Sequence, residues 1–234
     1  MSVYEQQPFA TSFVDSSSTL RRERLEKLQK ARLYLCTDAR LSRGDLESFL
    51  DEAYSGGVDI IQLRDKKISV QQELAALEVL KKVARRHDKL FAVNDRADVA
   101  ALMGADIFHR GQDDLSAVQA RRLLGADVLV GASTHGVSQG QEAAVDKNID
   151  YFACGPVWPT PTKPGRAATG VEYLEQVAQF AGQKPWFAIG GVNVDTVSEV
   201  CQAGASRIVV VRALTEAADV RSAAKQLKGA LEVV

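Results

Sequence analysis

Cysteine is scarce in this chain, and its placement excludes more than its number does. Cys36, Cys154 and Cys201 are the whole set, odd in count and widely spaced, so they form neither a CxxC motif nor any metal-ligand spacing. All three sit in or beside apolar runs, which is the expectation for buried thiols in a reducing cytoplasm. No apolar run approaches the ~20 residues needed to cross a bilayer, and Met1 to Ser18 lacks the basic-then-apolar order of a secretory signal. A charge excess of either sign is also missing: 29 Lys plus Arg stand against 30 Asp plus Glu, for a net charge of -1. No overall basic field argues for a nucleic-acid or membrane partner, and any phosphate binding must be local. A soluble, cytoplasmic protein that handles small molecules is the expectation.

What the chain does have is 234 residues, 46% of them hydrophobic, enough for one sizeable core. Residues 1–18, with Pro8 and the Ser16-Ser17-Ser18 cluster, read as a flexible tail, and 19–234 as one domain. From Arg32 onward eight short apolar runs alternate with longer helical patterns: RLYLC, IIQLR, LFAVN, IFH, VLVGAS, YFACG, WFAIG and RIVVV. Their near-continuous apolarity marks parallel strands covered on both faces. Eight such units predict a closed (β/α)8 barrel, an α/β TIM barrel, rather than a doubly wound open sheet; the first strand is not followed by the glycine-rich turn of a dinucleotide-binding fold. Ahead of it, Thr19 is expected to cap a charged helix ending near Lys30, with Leu20, Leu25 and Leu28 as a narrow apolar stripe that could lid the barrel bottom.

In such a barrel the loops after the strands form the active face, so the polar residues there carry the chemistry. Gln62, Arg64 and Lys66 alternate through QLRDK and so point to one side of an extended segment, a pairing of cations suited to a diphosphate; a solvated charged turn is the plainer reading. Asn94-Asp95 and Gln112-Asp113-Asp114 follow the third and fourth strands. Asp95 and Asp114 with a diphosphate would suit Mg2+, which takes few protein carboxylates and completes its shell with water and phosphate, although each Asp alone also serves as a helix cap. Ser133-Thr134-His135 ends the fifth strand, but neighbours on a strand point apart and no nucleophile elbow is present, so Ser133 is read as a hydrogen-bonding group. His109 is read as packing or orienting. The segment GPVWPTPTKPGRAATG, Gly155 to Gly170, sets Thr160, Thr162 and Lys163 among prolines as donors for an anion. Gly191 after the seventh strand, and Val211 and Arg212 after the eighth, occupy the places where such barrels hold phosphate.

In this order QLRDK, VNDRADVAALMGADIFHRGQDDL, GASTHG, GPVWPTPTKPGRAATG, AIGGVN and VVVRAL resemble the thiamine-phosphate synthase family from about Tyr34 to Leu214. The resemblance implies a transferase that joins 4-amino-2-methyl-5-(diphosphooxymethyl)pyrimidine to 4-methyl-5-(2-phosphooxyethyl)thiazole, or its carboxylated form, in thiamine biosynthesis. It implies that Gln62, Arg64, Lys66, Asn94 and Ser133 bind the pyrimidine diphosphate and that Asp95 and Asp114 hold Mg2+. It further implies that Thr160, Thr162, Gly191 and the backbone of Val211 and Arg212 bind the thiazole phosphate, with Lys163 between the substrates. Arg64, Lys66, Ser133 and Lys163 would then be the catalytic set, in a small homo-oligomer. Two positions depart from the family pattern: Arg110 stands where an aliphatic residue is common, and Gly136 where threonine is common. Rival readings are a thiazole tautomerase, which needs neither diphosphate site nor metal, and a phosphometabolite-binding barrel without chemistry.

Overall fold

The computed structural model describes residues 18–160, 165 and 167–232. The expected tail therefore lies, apart from Ser18, outside the described residues. Eight parallel strands close into a barrel in sequence order: β1 Leu33–Thr37, β2 Ile60–Leu63, β3 Leu90–Asn94, β4 Ile107–Arg110, β5 Leu129–Thr134, β6 Tyr151–Cys154, β7 Trp186–Ile189 and β8 Ile208–Val210. β1 precedes α2 Leu46–Ser55, β2 precedes α3 Val70–Arg86, and α4 Ala97–Met103, α5 Ala117–Leu124, α6 Val137–Val145, α7 Val171–Phe180 and α8 Val197–Gln202 follow the next five strands in turn; α1 Thr19–Lys30 lies ahead of β1. Beyond β8 come the short α9 Arg212–Thr215 and α10 Val220–Glu232. No helix among the described residues is long and apolar enough to cross a membrane.

The apolar runs form strands because both of their faces are buried, and the two faces do different work. Outward residues such as Leu35, Ile61, Phe91, Phe108 and Phe152 pack in one core with the helices. Inward residues Tyr34, Ile60, Leu90, Ile107, Leu129 and Tyr151 form a second, smaller core inside the barrel. Alternation therefore persists under a uniformly apolar sequence. Toward the strands' C-terminal ends the inward positions turn polar: Gln62, Asn94, His109 and Ser133 are all buried there.

The opposite end is held by three aspartates, each just before an even-numbered strand. Asp59 accepts from the Arg32 amide at 2.9 Å, Asp106 from the Phe91 amide at 3.1 Å and Asp150 from the Val130 amide at 2.7 Å. Each also meets two cations: Lys89 and Lys228, Arg24 and Arg85, and Arg21 and Arg121, respectively. Burial pushes the Asp59 carboxyl up, but the Arg32 amide and the two lysines outweigh it and leave the group below the usual carboxylate range.

α1 differs from the sequence expectation in two respects. Its cap is Ser18, whose hydroxyl accepts from the Arg21 amide at 3.3 Å, so Thr19 is already helical. Its buried face is Arg21, Arg24 and Leu28, with Leu25 half-buried against the inner core, while Leu20 is 44% exposed. The arginines can be buried because Arg21 also reaches the Ala126 carbonyl at 2.7 Å and Arg24 the Asp127 carbonyl at 2.9 Å, so that guanidinium and acceptors are desolvated together. Leu28 joins the inner core. The expected lid over the bottom of the barrel is present, fastened by charge more than by leucines.

Candidate active site

Three adjoining cavities open at the C-terminal mouth, and Ser133 lines all of them. The central one, of about 390 Å3, is walled by inward strand residues, among them Tyr34, Cys36, Gln62, Asn94 and His109. The second, of about 280 Å3, lies over β7 and β8 and includes Thr160, Gly191, Val211 and Arg212. The third, of about 230 Å3, is the charged one, with Arg64, Lys66, Asp95 and Asp114. The strand-end residues singled out in the sequence thus converge on one mouth, apart from Thr162 and Lys163, which lie outside the described residues.

The charged cavity is built by the loops after β2, β3 and β4. Lys66 Nζ lies 2.7 Å from the Asp95 carboxylate, and Asp114 accepts from the Gly111 amide at 2.7 Å. Asp95 has φ +59°, a left-handed backbone that Asp tolerates better than most residues; its own amide donates to the His109 carbonyl at 2.9 Å. The two carboxyl groups are close enough to perturb each other. Burial pushes Asp95 up, but hydrogen bonds with Lys66 and Asp114, and the Arg64 charge, hold it below the usual range. Burial and the facing Asp95 lift Asp114 above that range despite the Gly111 amide. Two opposed carboxylates beside open volume are a donor set that a hard cation fits. Among the described residues no third His, Cys, Asp or Glu completes a cluster.

The second cavity depends on how two loops stack. Val157 and Trp158 amides donate to the Ile189 and Gly190 carbonyls at 2.9 and 3.1 Å, laying the segment after β6 across the end of β7. Gly191, at φ +79°, would place a Cβ 2.8 Å from Trp158 Cβ, so only glycine permits this approach. The result places Thr160 and the start of α9 on one cavity wall.

Several residues of the site escape a reading by sequence. Ser133 does meet a histidine, but it is His109 of the neighbouring strand, whose Nε2 lies 3.0 Å from Ser133 Oγ, rather than His135. Instead, His135 Nδ1 pairs with the Gly155 carbonyl. His109 Nδ1 lies 2.9 Å from the Tyr151 hydroxyl, which in turn lies 3.1 Å from that of Tyr34. The one signal available was Gly131, a glycine inside a strand, which marks close approach by another group. A Cβ there would stand 2.1 Å from Tyr151 Cζ, so the tyrosine fills the place of the missing side chain. Gly131→Ala is expected to cost about 1–3 kcal/mol through overpacking and to dislodge Tyr151 from His109; denaturant unfolding, with an unchanged midpoint counting against it, is the check.

Cys36 and Gln62 were also coupled out of sight: the thiol donates to Gln62 Oε1 at 3.0 Å, and the buried Gln62 Nε2 has no partner among the described residues. Arg110 donates to the Leu115 and Gln112 carbonyls at 2.6 and 3.4 Å. It braces the loop carrying Asp114 and lines none of the three cavities. Gly136, the other departure, leaves α6 without a side-chain cap.

Comparison with known proteins agrees with this geometry. The model of the family described as thiamine monophosphate synthase matches residues 33–214. A thiamine-phosphate synthase of Saccharopolyspora erythraea is 56% identical over 208 residues, covering 86% of this chain and 93% of the relative. That of Streptomyces avermitilis is 53% identical over 201 residues, covering 86% and 94%. The solved thiamine phosphate pyrophosphorylase of Pyrococcus furiosus superposes with a TM-score of 0.78 at 32% identity, covering 88% of this chain and 98% of that one. Barrel, mouth and motifs lead to one conclusion: this chain belongs to the thiamine monophosphate synthase family.

Proposed function

We propose that the protein joins 4-amino-2-methyl-5-(diphosphooxymethyl)pyrimidine to 4-methyl-5-(2-phosphooxyethyl)thiazole, or its 2-carboxy form, to give thiamine phosphate and diphosphate. The observation that carries this reading is the convergence of three cavities on Ser133, one walled by inward strand residues, one charged and one floored by strand-end glycines. That is room for a ring, its diphosphate and a second phosphorylated molecule at a single point.

In the proposed reaction the carbon–oxygen bond to the diphosphate breaks first, the electron pair leaving with oxygen, and the ring's amino group stabilises the methylene cation. Gln62, whose Nε2 has no partner among the described residues, and Asn94 hold the pyrimidine substrate in the central cavity. Arg64, Lys66 and Lys163 oppose the negative charge that gathers on the departing group, where fixed donors are worth most. Ser133 donates a hydrogen bond to the same substrate. Thr160, Thr162, Gly191 and the main chain of Val211 and Arg212 grip the thiazole phosphate, so that the thiazole nitrogen faces the cation. Its lone pair forms the new bond, and no protein nucleophile is needed. Held by Asp95 and Asp114, Mg2+ would neutralise diphosphate oxygens. A cytoplasmic setting accords with the three buried thiols.

Incubating the full chain with both substrates and Mg2+, then assaying thiamine phosphate by chromatography together with released diphosphate, tests the reading. Product is expected in equal amounts with diphosphate, lost on addition of EDTA and restored by excess Mg2+. Undiminished turnover without metal would sink the metal assignment. Binding of both substrates without product would point to a binding barrel, and a double-bond shift in the thiazole alone to a tautomerase.

A further inference from the structure

A buried chain of hydrogen-bonding groups runs from the inner core to the mouth: Tyr34 hydroxyl, Tyr151 hydroxyl, His109 ring, Ser133 hydroxyl. Its members are 1%, 0%, 8% and 5% exposed. Tyr34 and Tyr151 both pack edge-on against Phe187, with centroids 5.6 and 5.5 Å away, and burial raises both phenols above their ordinary pKa. Both hydroxyls therefore keep their protons, and each proton must be given to something.

The closed end of the chain decides the direction. Among the described residues the only hydrogen bond recorded for the Tyr34 hydroxyl is to Tyr151. If Tyr151 donated to Tyr34, the proton of Tyr34, a side chain only 1% exposed, would have no acceptor among the described residues, which a buried polar group resists. Tyr34 therefore donates to Tyr151. Tyr151 has one proton, and with Tyr34 acting as donor it passes that proton to His109 Nδ1. A neutral imidazole accepting at Nδ1 carries its hydrogen at Nε2, and Nε2–H donates to Ser133 Oγ. With that lone pair engaged, the Ser133 proton is turned toward the open cavities.

We propose that His109 is a positioning residue, held as the Nε2–H tautomer by Tyr151 and Tyr34, and that it compels the Ser133 hydroxyl to act as donor toward the substrate anion. The functional half of this statement rests on the synthase reading above. A serine free to donate to histidine would spend its proton inside the protein. One locked by a histidine N–H has its proton available where negative charge develops, at no cost of reorientation during the reaction. No net proton transfer is involved, only a fixed direction of donation.

The tautomer is measured directly by 15N NMR on the full chain labelled at its three histidines, with His109→Gln identifying the signals of residue 109. A proton on Nε2 and none on Nδ1 is expected. A proton on Nδ1, alone or together with Nε2, overturns the proposal, whether or not the protein makes thiamine phosphate, so this arm fails separately from the synthase reading. Tyr151→Phe removes the donor to Nδ1 and keeps the ring. It is expected to lower kcat roughly ten- to a hundredfold, as loss of one hydrogen bond to a charged group does, with KM for both substrates within about twofold of unmodified protein. Unchanged kcat in a folded Tyr151→Phe protein contradicts the proposal; if that variant does not fold, the tautomer of the unmodified protein decides.

Discussion

Asp95→Asn is expected to lower kcat/KM on the order of a thousandfold while leaving the melting temperature nearly unchanged. The fold should tolerate the change because the left-handed backbone at position 95, φ +59°, is one that asparagine adopts as readily as aspartate. What is lost is charge. Lys66 Nζ, 2.7 Å from the carboxylate, would face a neutral amide, and a cation in the charged cavity would retain Asp114 as its single anionic protein ligand. Asp114 itself should become easier to ionise, since the facing Asp95 is one cause of its raised pKa. That gain does not replace a ligand. Calorimetric titration with Mg2+ in the presence of diphosphate should therefore show weakened binding, alongside the kinetic loss. Turnover within tenfold of the unmodified protein at saturating Mg2+ would mean that Asp95 is not a metal ligand.

The same residues show what a sequence exposes and what it hides. Arg64, Lys66, Asp95 and Asp114 were legible because a parallel strand buried on both faces is a continuous apolar run, and polar residues at its end in a barrel have one place to go. Gln62 was legible in part; its alternation with Arg64 predicted a shared side, but not the Cys36 thiol that fixes its amide. The Ser133 partner was hidden because His109 is one strand over, and side-chain proximity across strands depends on register. His109 pairs with Gly131, and the absent side chain there admits Tyr151. On α1 the apolar stripe holds at Leu25 and Leu28, which pack on the inner core, but not at Leu20, which is exposed. Counting leucines finds the stripe through Leu20, Leu25 and Leu28 but not Arg21 and Arg24, which are buried by Asp150 and Asp106, acceptors far along the chain that no local period reveals. Distant polar pairs, unlike apolar periodicity, leave no local signal in a sequence.

Those pairs should matter greatly for stability and little for catalysis, and Asp106→Asn separates the two. The Asp106 side chain is 2% exposed, and Arg24, which it pairs, is 7% exposed. Asparagine can still accept from the Phe91 amide, as Asp106 does at 3.1 Å, so the edge of β3 keeps its hydrogen bond. Arg24 would instead remain buried with only carbonyl partners, and breaking one side of a buried pair costs about 3–5 kcal/mol. For a chain of this length that corresponds to a fall in Tm of roughly 10 °C. Arg85 is 46% exposed and can turn to solvent, so Arg85→Ala should cost under about 1 kcal/mol. Asp106 lies at the end of the barrel opposite the three cavities, so kcat measured well below the transition should stay within about twofold of the unmodified protein. Adding Arg24→Met to Asp106→Asn should restore part of the lost Tm, because the double variant no longer buries an uncompensated charge. Calorimetry on the four proteins decides the matter: a double variant no more stable than Asp106→Asn would show that Arg24 is not the source of the penalty.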